Sequence, residues 1–128
     1  MARPVLADAD VLIDYAAGTG AAALVERLIH SGRLRVPAVA FYELWRGADS
    51  EDDRAEMRRL LAGVPVVWFT RHDAEAAAGV WGGLTERQRV QVGDRDILIA
   101  GTALARGWSL LTRNGRHYAM TGAELHDL

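Results

Sequence analysis

Short apolar runs alternate along this chain with longer amphipathic stretches, and that alternation restricts it to an α/β fold with a mostly parallel sheet. The first run, Val5-Leu6-Ala7, ends on Asp8 and reads as a buried strand. Asp10 is expected to cap a helix that starts at Val11. Ala21 to Ile29 form a second helix closed by Ser31-Gly32. A brief strand at Leu34 to Val36 leads into Pro37, a good first helical residue. The helix after it carries Phe41, Tyr42, Glu43, Leu44 and Trp45 and ends near Gly47.

Further along, Glu51 to Ala62 is predicted as a charged helix stopped by Gly63. Val64 to Phe69 is β-branched and aromatic, hence a strand. Asp73 to Gln91 is helical, with Gly82-Gly83 working against an unbroken run. Asp94 or Asp96 opens another helix that ends at Gly107. Ser109 to Thr112 is a strand, Asn114-Gly115 a turn, and residues 123–128 a candidate edge strand. The chain has 128 residues, the usual size of one domain, and no linker or repeat divides it. A single domain over residues 1–128 is the expectation.

Composition removes several chemistries. There is no cysteine, so disulfides, thiolate metal sites and cysteine nucleophiles are excluded. The four histidines, His30, His72, His117 and His126, lack zinc-type spacing. A bound metal would therefore be held by oxygen, which points to Mg²⁺ or Mn²⁺. Net charge is −2, unlike a generic polyanion binder, and every cationic residue is arginine. The N-terminal stretch meets acid before a signal-peptide core could form, and the apolar runs fall far short of the ~20 residues of a membrane span. A cytoplasmic protein with no membrane partner is expected.

Three acids stand in unusual places. Asp8 ends an apolar run and precedes a helix, which puts its carboxylate at the carboxyl edge of the sheet, where α/β proteins collect functional groups. Capping is its ordinary alternative. Glu43 lies in a helix full of large apolar groups, and its same-face neighbours Ala40 and Gly47 are small enough to leave room for an approaching group. Asp96 precedes the buried run Ile97-Leu98-Ile99-Ala100, with small Ala100 and Ala103 on its face. An acid at a helix N-terminus also explains it, and explains Asp94 equally well. Taken together the three say more. Two unit charges ~4 Å apart interact by about 4 kcal/mol at an effective dielectric of 20, so carboxylates converging on one cleft need a cation. A divalent ion among them suits phosphodiester hydrolysis without cysteine, histidine or lysine.

At these residues the sequence resembles PIN-domain ribonucleases, specifically the VapC toxins of bacterial toxin–antitoxin pairs. Val5 to Asp14, with Asp8, Asp10 and Asp14, is similar to their first motif, and Val36 to Leu44, with Glu43, to their second. Asp96-Ile-Leu-Ile-Ala100, then Gly107 and Leu110 to Tyr118, resembles the third and fourth. The matches come in order and span nearly the whole chain. The resemblance implies a three-layer α/β/α sandwich and Mg²⁺- or Mn²⁺-dependent endonucleolytic cleavage of RNA, often structured RNA such as tRNA. It also implies a homodimer and a small VapB-like antitoxin that inserts into the active-site groove. Asp8, Glu43 and Asp96 match the family's three main acids and would be the catalytic metal ligands. The fourth acidic position is Asn114, assigned to orienting water or to the ion's outer surroundings. Thr112 and Asp94 are supporting candidates, and Arg113 and Arg116 flank the site as candidates for RNA phosphate contact.

Two other readings stay open. Asp8-Ala9-Asp10 after a strand also looks like haloacid-dehalogenase-type phosphatases, or a phosphoacceptor receiver domain, though both normally use a lysine that this chain lacks. A degenerate PIN fold that only binds a partner is the other alternative. Core packing is expected for Trp45, Trp68 and Trp81.

Overall fold

A computed structural model describes residues 2–128. The elements follow one another as β1 (Val5–Ala7), α1 (Ala9–Ala17), α2 (Ala22–His30), β2 (Leu34–Pro37), α3 (Ala38–Gly47), α4 (Glu51–Leu60), β3 (Val66–Val67), α5 (Arg71–Gly83), α6 (Glu86–Arg106), β4 (Ser109–Leu111) and α7 (Gly115–Ala119). The strands form one parallel sheet in the order β3-β2-β1-β4. Val5, Leu6 and Ala7 point alternately to opposite faces, yet all are 0% exposed. Both faces are thus covered, as a parallel sheet requires, and the result is the three-layer α/β/α arrangement.

The main core joins Leu12, Val25, Val36, Leu44, Ile99 and Leu110 around the sheet. A smaller cluster, Ala77, Leu84, Val92 and Ile97, lies between α5 and α6.

Several boundaries differ from the sequence expectation. Asp8, not Asp10, caps α1: its extended backbone precedes the helix and its Oδ1 accepts from the Ala9 N–H at 2.7 Å. Pro37 stays extended at ψ 145° and ends β2 opposite Val67, so it caps α3 and is not its first residue. The strand expected over 64–69 shrinks to two residues. Pro65 has no N–H to give, and the Trp68 carbonyl is taken by Arg106. The helix expected over 73–91 divides at Leu84, with a capping box at each start: Thr70 with Asp73, then Thr85 with Gln88. In the tail, Leu125 makes one bridge to Leu110 in place of a strand.

Gly93 breaks α6 at φ 80°, ψ 158°, a conformation essentially confined to glycine. The chain therefore restarts its helix at Asp94, one of the two starts the sequence offered, and the restart carries Arg95 and Asp96. Trp68 and Trp81 are 83% and 49% exposed, against the expectation of core packing. Trp45 is half-buried and stacks on Phe41 at 5.6 Å.

Candidate active site

The junction of β1 and β4 is where the strand order reverses: the chain adds β2 and β3 on one side of β1 and returns to place β4 on the other. Ligand sites in open α/β sheets form beyond the strand ends at such a point. Asp8 and Thr112 are the first residues past these two strands, held level by the Asp8 N–H donating to the Leu111 carbonyl at 2.9 Å. The Thr112 hydroxyl donates to Asp8 Oδ2 at 2.8 Å and accepts from the Asn114 N–H at 3.0 Å.

Asp8 and Asp96 are buried and Glu43 is half-buried. The three come from the end of β1, from α3 and from α6, and they meet on one group, the guanidinium of Arg95. Its Nε donates to Glu43 Oε1 at 2.5 Å, its Nη1 to Asp96 Oδ1 at 2.5 Å, and its Nη2 to Asp8 Oδ1. Nη1 also donates to the Tyr118 hydroxyl at 3.2 Å, and that hydroxyl donates to Asp96 Oδ1 at 3.2 Å. Burial opposes the Arg95 charge, but the hydrogen bond and charge of Asp8 outweigh it and raise its pKa. Burial, reinforced by the charges of Asp8 and Asp96, pushes the Tyr118 phenol well above its ordinary value, so it stays a donor.

Asn114 reaches the same cluster. Its Nδ2 lies 3.3 Å from Asp96 Oδ2 and 2.9 Å from His117 Nδ1. The sequence-selected residues Asp8, Glu43, Asp96, Thr112 and Asn114 therefore share one site. Asp94 does not join them: it is exposed and turned to the surface. Arg113 is exposed, with its Nε 3.4 Å from Asp14 Oδ2, and Arg116 is exposed nearby.

Arg95 and Tyr118 carry contacts that sequence reasoning did not assign. Arg95 stands between two acids after a glycine, a placement that does not say which way its side chain points. Tyr118 packs in the core at 0% exposure, and its hydroxyl faces the acids.

The donor types present suit a hard divalent cation, though their present spacing is that of a guanidinium clasp. Every candidate donor is an oxygen, and a positively charged group already stands where three carboxylates converge. Beside them Asp10 Oδ1 is buried with no hydrogen-bond partner, while its Oδ2 accepts from the Arg113 N–H at 2.9 Å. Burial and the neighbouring Asp8 charge raise the Asp10 pKa. Among the described residues, no three His, Cys, Asp or Glu side chains are drawn together tightly enough to hold an ion as they stand. The carboxylates are spread around the rim of a planar guanidinium.

Comparison with known proteins agrees with this architecture. No curated protein sequence matches the chain significantly. VapBC from Salmonella typhimurium, solved bound to DNA, superposes with a TM-score of 0.82 at 22% identity, covering 98% of each chain. VapBC2 from Rickettsia felis, bound to a DNA fragment from its promoter, gives 0.81 at 16% identity over 95% of this chain and 96% of that one. FitAcB from Neisseria gonorrhoeae gives 0.77 at 16% identity over 96% of each. The PIN domain family matches residues 5–123, which is nearly the whole sequence, and this chain belongs to that family.

Proposed function

We propose that the chain is a Mg²⁺- or Mn²⁺-dependent endoribonuclease, the toxin of a toxin–antitoxin pair, folded as a single domain over residues 1–128. The observation that carries this reading is the convergence of Asp8, Glu43 and Asp96, from three separate elements, on one cation position at the sheet's carboxyl edge. A divalent ion bound there supplies Lewis-acid stabilisation of the phosphoryl oxygens and lowers the pKa of water. The chain's own groups do the rest. Thr112 fixes the orientation of Asp8 through its hydroxyl. Asn114 and Tyr118 fix that of Asp96. Arg113 and Arg116, both exposed beside the acids, are the groups that meet the RNA backbone in this reading.

An apolar groove of 290 Å³, lined by Ile13, Ala16, Leu44, Met57 and Leu60, opens next to Glu43. It suits the apolar face of a VapB-like antitoxin, the kind of partner present in the VapBC complexes that share the fold. A homodimer and action on structured RNA such as tRNA belong to the same reading. Among the described residues, no helix is long and apolar enough to cross a membrane. A cytoplasmic location is proposed with the rest.

The guanidinium in the site, with Asn114 in place of a fourth acid, favours one alternative: a PIN fold that has lost catalysis and only binds. A phosphatase or receiver role has no such support in a PIN fold. One experiment separates the first two. Partner-free protein is incubated with total tRNA and mRNA in Mg²⁺, Mn²⁺ or EDTA, beside folded Asp8→Ala and Asp96→Asn variants. Discrete fragments that need metal and disappear in both variants are expected. Equal faint cleavage in all three proteins, or none with any metal, overturns the catalytic reading once mass spectrometry has excluded a retained antitoxin.

A further inference from the structure

Arg95 is the one group at the site whose chemistry runs against metal binding. Its three nitrogens are committed to three carboxylates from three elements, so one side chain performs the neutralising task assigned above to the ion. Its side chain is 34% exposed, whereas those of Asp8 and Asp96 are 2% and 6% exposed. Of the four side chains that meet here, Arg95 is thus the one most open to solvent. Its backbone lies in the first turn after the Gly93 break, at the start of a helical segment and not in the packed middle of one.

The two occupants also need different acid spacings. A guanidinium about 4–5 Å across holds carboxylates around its rim, whereas Mg²⁺ draws oxygens to about 2.0–2.1 Å from one centre. The acids as arranged suit the first occupant and not the second. They cannot hold both.

We propose that Arg95 is a built-in competitor of the divalent cation, clasping Asp8, Glu43 and Asp96 in the metal-free protein and leaving the site when an ion binds. This rests on the metal-site reading above. The competition has two consequences. Metal-free protein keeps its acids neutralised and folded. Apparent metal affinity is lowered by the fraction of molecules in which Arg95 has left; at one-tenth open, the apparent Kd is about tenfold weaker than that of the cleared site. Arg95 thereby sets the metal concentration at which the site fills.

The test is Mn²⁺ binding to the partner-free chain by isothermal titration, comparing wild type with Arg95→Met, which keeps the stem and removes the charge. The variant is expected to bind Mn²⁺ at least about tenfold more tightly. A second measurement needs no variant: the Arg95 Nε–H resonance of wild type is followed by NMR during a Mg²⁺ titration. That proton should be protected in EDTA and become fast-exchanging as Mg²⁺ saturates the site. Equal Mn²⁺ affinity in the two proteins overturns the competition and leaves the metal site standing. Absence of binding in both overturns the metal site and the competition together. Where Arg95→Met fails to fold in EDTA, the NMR arm decides. An Arg95 proton that stays protected while the Asp8 and Asp96 amides respond to Mg²⁺ sinks the proposal.

Discussion

Gly101 of α6 lies so close to Ala77 of α5 that a β-carbon built on it would stand 2.7 Å from the Ala77 β-carbon and 2.7 Å from the Asp73 carbonyl oxygen. Both obstacles are stiff, one of them backbone, so neither can swing aside. On an open helix, Gly→Ala gains about 1 kcal/mol from propensity. Here the sign should reverse. Gly101→Ala is expected to lose about 1–3 kcal/mol through overpacking, read as a lower urea midpoint at unchanged slope. An unchanged or higher midpoint would show that α5 and α6 are free to move apart.

The same helix pair is also held close by, where Asp73 meets Arg106. Arg106 Nη1 lies 2.5 Å from Asp73 Oδ1, and Asp73 Oδ2 accepts from the Thr70 N–H at 3.0 Å. The Asp73 side chain is 1% exposed and that of Arg106 19%. Asp73→Ala removes a cap and leaves a mostly buried guanidinium without its partner. A loss of about 3 kcal/mol is expected, the lower end for breaking a buried pair because Arg106 retains some contact with water. Asp73→Asn keeps a capping oxygen and should lose less. Thermal unfolding of the two variants side by side tests the ranking.

Gly93 offers a cleaner backbone test. Apart from its chain neighbours and its own helix backbone, no atom lies within 4 Å of a β-carbon built there, so no packed neighbour opposes a side chain. Its φ of 80° is the obstacle. Gly93→Ala should cost about 1–3 kcal/mol from backbone strain alone. Because the break sets the direction of the segment carrying Arg95 and Asp96, the variant should also weaken Mn²⁺ binding. A stability loss with unaltered metal binding would separate the break from the site.

That break illustrates what a sequence conceals. Asp8, Glu43 and Asp96 were legible because each is a carboxylate in an apolar setting, and burying a charge is costly without a partner. The alternation of strands and helices was legible for a similar reason, since periodicity follows from which side of each element is buried. Arg95 was not, because its importance depends on where a long, flexible side chain points. Nothing in Asp94-Arg95-Asp96 says that the middle residue turns inward while Asp94 stays exposed. The two-residue β3 was overread since β-branched and aromatic composition measures fit to a pleated surface, whereas Pro65 and the Arg106–Trp68 contact decide where pairing stops. Trp68 and Trp81 misled in the same way: their size suggests burial, but no local pattern places them inside.

Thr112 tests whether the hydroxyl at the strand end matters beyond its volume. It donates a hydrogen bond to Asp8 and accepts one from the Asn114 N–H, the first buried and the second partly so. Thr112→Val keeps the shape and leaves the Asn114 N–H without its acceptor, an expected loss of about 1–3 kcal/mol. Asp8 would also lose a fixed donor, so metal-dependent RNA cleavage should fall by more than stability alone explains. Thr112→Ser should restore both. If valine and serine behave alike in cleavage assays, the hydroxyl has no part in holding Asp8.

Arg113 and Arg116 flank the same site, and the structure separates them. Arg113 shares its charge with Asp14, 3.4 Å away across a side chain 8% exposed. Arg116 makes no ion pair among the described residues and lines a cleft with Asn114 and His117. A cation already engaged by a carboxylate releases fewer counterions when it meets a phosphate. Each full phosphate contact to single-stranded RNA contributes about 0.7 to the slope of log affinity against log salt. Arg116→Ala should reduce that slope by about this amount, and Arg113→Ala by clearly less. The measurement is RNA binding to the Asp96→Asn protein across a salt series, where cleavage does not interfere. Equal changes would mean that RNA pulls Arg113 away from Asp14. No change in either would move the RNA path off α7 and toward another face of the acid cluster.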